Sequence, residues 1–231
     1  MAGNFAFQAA GTNVNTTTTL SLTPVLAAGL QANDALFLLA RGQTSGTSMV
    51  YTPPAGWTEL GSRLTGVNPG TGTPNASLQL FWKAHSGTES NPTVTTSTFG
   101  TFTFSAAVFA YRGSAAPVIT VACIDDTASA STTFTGSSIT ASSDARLIHL
   151  PSQVSTAGTG FTVTTANGYA SQSTTYQSNA PRVQIFDQAV TAGTYGGPAL
   201  SSGFTQPWMA KTFGLDAEFV NVGWSVGQIK Y

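Results

Sequence analysis

The chain alternates between short apolar runs and stretches rich in threonine, serine, glycine and proline, and no apolar stripe keeps a helical period. Leu20 to Leu26 alternates at period two, as a half-buried strand does. Ala35 to Ala40 is continuously apolar, which predicts a central strand covered on both faces. Leu78 to Ala84, Val94 to Phe104 and Ala106 to Tyr111 give further strands, and the last is too short and aromatic for a helix. Glu218 to Val226 alternates again and predicts a final strand. Asn33-Asp34, Gly42 to Gly46, Pro53 to Gly56 and Gly66 to Asn75 mark turns and loops. Turn signals every 8–12 positions predict an all-β, jelly-roll-like antiparallel β-sandwich.

The pattern recurs. Asp34-Ala35-Leu36 has a counterpart in Asp144-Ala145-Arg146 at an offset of 144 − 34 = 110. Gly56-Trp57 matches Gly168-Tyr169 at 168 − 56 = 112, and Leu80 to Ala84 matches Ile185 to Ala189 at 186 − 81 = 105. Ser86-Gly87-Thr88 pairs with Ala192-Gly193-Thr194, and Ala107 with Ala210. This predicts an internal pseudo-repeat: residues 1–29 as an arm and first strand, then one sandwich domain over 30–231 made of related halves, 30–115 and 116–231. One half alone would expose an apolar face, so the expectation is that the halves interleave into two packed sheets.

Composition sharpens this picture. Of 231 residues, 41% are hydrophobic, enough for a sizeable core. Only 7% are charged, against roughly 25% in an average soluble domain, while serine and threonine supply about a quarter. The polar surface is therefore mostly neutral hydroxyl. A net charge of −1 gives no attraction for phosphate backbones, so no nucleic-acid partner is expected. No run approaches the ~20 apolar residues of a membrane helix, and Met1 to Gly11 lacks the features of a secretory signal. The expectation is a soluble protein made in a cytoplasm.

Candidate chemistry is sparse. The single Cys123 excludes an internal disulfide and reads as a small buried residue. His85 and His149 are the only histidines and lie 149 − 85 = 64 positions apart, without metal-ligand spacing. Asp125-Asp126 is the adjacent carboxylate pair. It is expected on a solvated turn, against a reading as a calcium ligand or half of a glycosidase pair, because neighbours in a strand point to opposite faces. No nucleophile elbow, P-loop or dinucleotide fingerprint is present. The expectation is a non-enzyme without cofactors or metal. Aromatic stacking on sugars is the remaining option, through Trp57, Trp82, Trp208 or Trp224. Trp82 is the strongest, because it neighbours Phe81 and one of the two must face outward in a regular strand. Phe5 and Phe7, in a segment without apolar periodicity, are expected as partner-binding anchors on an arm over Met1 to Thr19.

Four motifs occur together: Asn33-Asp34-Ala35-Leu36, Pro54-Ala55-Gly56-Trp57, Leu80-Phe81-Trp82-Lys83-Ala84 and Ala107-Val108-Phe109-Ala110-Tyr111-Arg112-Gly113. In these the chain resembles a set of structural proteins from tailed bacteriophages and prophages, over most of residues 30 to 215. The resemblance implies a virion component assembled in the bacterial cytoplasm, either a capsid decoration (cement) subunit or a tail or fibre subunit. Its implied partners are the major capsid protein or tail subunits and further copies of itself, and its implied alternative is a module that recognises host glycans. It also implies that Trp57 and Tyr111-Arg112-Gly113 are structural landmarks. The second half departs from the pattern at Ala166-Asn167-Gly168-Tyr169, where the proline and tryptophan are replaced.

Overall fold

The computed structural model describes residues 5–67, 74–97, 100–153, 162–176 and 183–217, and within them it is all-β. The tail strand expected over Glu218 to Val226 lies outside these residues, as does Trp224. The first half contributes β1 (Ala6–Ala10), β2 (Val14–Thr16), β3 (Ser21–Leu22), β4 (Ala35–Thr44), β5 (Val50–Thr52), β6 (Thr58–Val67), β7 (Pro74–Ala84), β8 (Val94–Ser97) and β9 (Phe102–Arg112). The second contributes β10 (Pro117–Thr135), β11 (Ile139–Ala141), β12 (Ala145–Gln153), β13 (Thr162–Thr165), β14 (Ala170–Tyr176), β15 (Val183–Val190), β16 (Gly193–Tyr195) and β17 (Ala199–Ala217).

The halves do not interleave. One antiparallel sheet, ordered β1-β9-β4-β7-β6 with β2 also on β9, comes wholly from the first half. The other, ordered β10-β17-β12-β15-β14 with β13 also on β17, comes wholly from the second. Each carries a small sheet on its far side, β3-β8-β5 in the first half and β11-β16 in the second. Apolar residues fill the layer between the large sheets (Phe37, Leu39, Phe109, Ile148, Leu150, Phe213). Two outer layers lie under the small sheets, around Leu38, Phe81 and Phe104 on one side and Leu147, Phe186 and Trp208 on the other. The architecture is thus four layers. Both faces of each large sheet are covered, which is why β4 is buried almost end to end.

Strand pairing resolves the repeat. Ala35 pairs with Ala84 and Tyr111, while Arg146 pairs with Ala189 and Leu215. Ala35 therefore corresponds to Arg146, an offset of 111 rather than the 110 suggested by the two aspartates. The extra residue is compulsory. At 110, Phe37 would align with Leu147, which faces the outer layer, and the apolar set would be turned inside out. The offsets of 105 for Leu80 to Ala84 and 112 for the Gly-aromatic turn agree with the pairing. Ala107, however, corresponds to Lys211 and not to Ala210.

The expectation of Phe5 as an anchor on a separate arm is corrected. Phe5 is 2% exposed and belongs to the chain's own central core. Its ring lies against Gly113, where an added Cβ would come within 2.5 Å of it. Phe7 packs edge-on against Tyr111, with ring centroids 5.6 Å apart, while β1 and β2 both pair with β9. The segment from Phe5 onward is an integral edge of the sheet, because β9 would otherwise lack a neighbour on that side.

Candidate functional site

The Pro-x-Gly-Trp motif forms the turn from β5 to β6. Trp57 N donates to Pro54 O at 3.1 Å, and Gly56 has φ +77°, the value a type II turn requires at its third position. Glycine adopts it without the steric cost of a Cβ. In the second half Tyr169 N donates to Ala166 O, but Asn167 and Gly168 both have positive φ, 48° and 88°. That is a type I′ turn, which explains why Asn-Gly stands where the first half has Ala-Gly. The turn class has changed, and the aromatic after it is kept.

In the first half this turn and the β7–β8 loop border an open groove of about 250 Å³, lined by Pro54, Trp57, Glu89, Asn91, Pro92 and Thr93 among others. Trp57 is half-buried, with its inner side on the outer core layer. Asn91 Oδ1 accepts from Leu26 N at 2.9 Å and Glu89 Oε1 from Ser86 N at 3.2 Å, so the loop is held by its own side chains. Lys83 Nζ donates to Glu89 Oε2 at 2.8 Å. This bond holds the Glu89 carboxyl below the ordinary glutamate range, so it is an anion and a hydrogen-bond acceptor. The groove sets Trp57 near the Glu89 carboxylate, and Glu89 is the one carboxylate in its lining. The corresponding place in the second half is closed, because Tyr169 is buried and Asn167 Nδ2 donates to Gly197 O at 2.7 Å.

Trp82 is not beside this groove and does not face solvent freely. It is partly buried at the margin of the central core, while Phe81 faces the outer layer. The expectation that one of the two points outward fails because this sheet has a layer on each side. Trp208 is fully buried, stacked on Phe134 at 5.5 Å, with Nε1 donating to Ser131 O.

Asp125 and Asp126 lie within β10, not on a turn, and diverge as the strand period requires. Asp125 Oδ1 is 2.6 Å from Lys211 Nζ, and Oδ2 accepts from Ser62 N. Asp126 accepts from Ser137 N and Oγ. Cys123 is half-buried beside Asp125, and burial pushes its thiol up to about 12, far from a thiolate at neutral pH. His85 Nδ1 lies 2.9 Å from Gln31 O. His149 is fully buried, with Nδ1 2.7 Å from the Thr212 hydroxyl, and burial pulls its imidazole down to about 3. Among the described residues no group of three His, Cys, Asp or Glu could hold a metal.

Three polar groups brace the layer between the large sheets, and of their members the sequence marks out only Tyr111 and Asp125. Tyr111 Oη donates to Asp187 Oδ2 at 2.8 Å, and Arg146 lies 3.4 Å from Oδ1. Lys211, wholly buried, donates to Ser62 O and Asp125. Arg41, also buried, donates to Gln153 O at 2.7 Å. At the end of β9, Arg112 reaches both oxygens of buried Asp34, at 2.7 and 2.6 Å, so Asn-Asp and Tyr-Arg-Gly are two sides of one fork. Compared with known protein families, curated proteins and solved structures, the chain finds no match.

Proposed function

We propose that this protein is a bacteriophage virion structural subunit, a capsid decoration protein that stabilises the head through contacts with the major capsid protein and with its own copies. The observation that carries this reading is the outer face of the β3-β8-β5 sheet. Ser21, Thr52, Thr93, Thr95 and Ser97 are exposed there beside exposed Val50, and the nearby Leu20 and Val25 are exposed as well. Such a neutral surface suits the core of a protein–protein contact, from which charges are depleted. The resemblance of the four sequence motifs to tailed-phage structural proteins supports the same reading, and the internal bracing suits a rigid building block. Quantitative mass spectrometry of purified particles tests it. A copy number equal to the coat protein, or a simple fraction of it, is expected. A few to a few tens of copies moves the protein to the tail or fibre, and absence from the particle overturns the proposal.

A second reading, a glycan-binding module of a tail fibre or adhesin, is favoured by the Trp57 groove, where an aromatic face adjoins the Glu89 carboxylate. Saturable quenching of tryptophan fluorescence by host surface polysaccharide is expected, and Trp57→Ala should abolish it. Quenching that survives this substitution, or none in the parent protein, rules the groove out.

A further inference from the structure

The layer between the large sheets changes character along its length. On β4, Phe37 and Leu39 face the opposite sheet, and on β12 Ile148 and Leu150 face back. Two residues further on, the same alternation places Arg41 and Ser152 on these facing surfaces. They are corresponding positions of the two halves, at 152 − 41 = 111, and both are buried, at 1% and 0% exposure. Arg41 Nη2 donates to the backbone oxygen of Gln153, the neighbour of Ser152, so the guanidinium reaches across the layer to this point.

Among the described residues, Arg41 Nε, Arg41 Nη1, Ser152 Oγ and Gln43 Oε1 are buried without a hydrogen-bond partner. Gln43 follows Arg41 on the same face of β4. The inner carboxylates are engaged elsewhere, Asp34 with Arg112, Asp125 with Lys211 and Asp187 with Tyr111. A guanidinium cannot shed its charge at neutral pH, and one neutral carbonyl does not compensate for its removal from water. Burial pulls Arg41 down to about 9 despite a smaller opposing interaction with Tyr51.

We infer that the Arg41 end of this layer is a binding site for a small inorganic monoanion of the halide class. The unpartnered guanidinium N–H groups and the Ser152 hydroxyl are its donors. The Gln43 amide, whose oxygen and nitrogen exchange places by a rotation, completes the set. A monoanion matches the single positive charge. The enclosure of both residues selects against a large dianion, and against an organic carboxylate that would bring a tail with it.

The test uses the full chain. Thermal unfolding is followed at constant ionic strength while chloride replaces gluconate, an organic anion too bulky for an enclosed site. The midpoint should rise saturably, by about 3–6 °C at ten times the dissociation constant. Arg41→Met should melt at least as high as the parent protein in gluconate and lose the chloride response. Crystals grown in bromide should show an anomalous peak beside Arg41, a readout that needs no variant to fold. An equal chloride response in Arg41→Met overturns the site. So does a flat response, or a bromide map without that peak, since the polar atoms would then be served by water alone.

Discussion

At the scale of single residues, most of the polar chemistry in this chain is buried and structural. His149 shows the consequence most directly, because its ring is packed between Phe134 and Tyr169 and stays neutral. Above its ordinary value of 6.5 neither the folded nor the unfolded chain holds the proton. Below it the unfolded chain takes a proton that the folded chain refuses until about 3, so stability is lost as pH falls through that window. The loss should reach about 4–5 kcal/mol at its acid end. Asp187 opposes part of it, since burial raises its carboxyl and protonation there favours the folded state. The difference between the parent protein and His149→Gln isolates the histidine: urea unfolding from pH 7 to pH 3.5 should show a shallower decline in the variant, and parallel curves would contradict the assignment. That His149 lies in an apolar strand is legible in the sequence. That the Thr212 hydroxyl is its partner is not, because the two are 63 residues apart.

At the scale of elements, the first strand carries the sharpest correction. Residues 5 to 16 lack apolar periodicity, yet they supply Phe5 to the central core and two strand segments to the edge of β9. Only alternate residues of an edge strand need be apolar, and an irregularity between Phe7 and Ala9 shifts even that alternation. Phe5→Ala should therefore cost about 3–5 kcal/mol, as loss of a fully buried aromatic does. Removing residues 1 to 19 should abolish cooperative unfolding, measured by circular dichroism, rather than merely weaken association. A truncated chain with an unchanged melt would restore the arm. β10 occupies the corresponding edge of the second sheet as one unbroken strand of 19 residues, so the same role is met by two unlike sequences.

At the scale of the whole molecule, two halves of like strand order differ where their outer ends meet solvent. The first keeps an open groove at Trp57, and the second closes it with a different turn and a buried tyrosine. Between them the large sheets share an aromatic cluster, in which Phe37 lies 5.2 Å from Phe109 and 5.0 Å from Phe213. This contact and the braces at Asp187 and Lys211 join the halves. The virion and glycan readings both ask for such a rigid body and differ in the outer face they use, the small-sheet hydroxyls or the Trp57 groove.

By itself, the sequence determined the all-β class, the central strands that begin near Ala35 and Leu78, and the repeated order of landmarks. Alternation, β-branching and turn residues act within a few positions of one another and leave their mark locally. The Gly56-Trp57 turn and the buried run at Ala35 to Ala40 were readable for that reason. Only the tertiary structure decided that the halves stack as separate sheets, that the repeat offset is 111, that Trp82 faces a core, and that Arg41 reaches the backbone oxygen of Gln153. Each of these depends on which face of a strand meets which other face. A continuously apolar strand looks the same whether its second layer comes from its own half or from the other, so the partner is settled by packing across more than a hundred residues of chain.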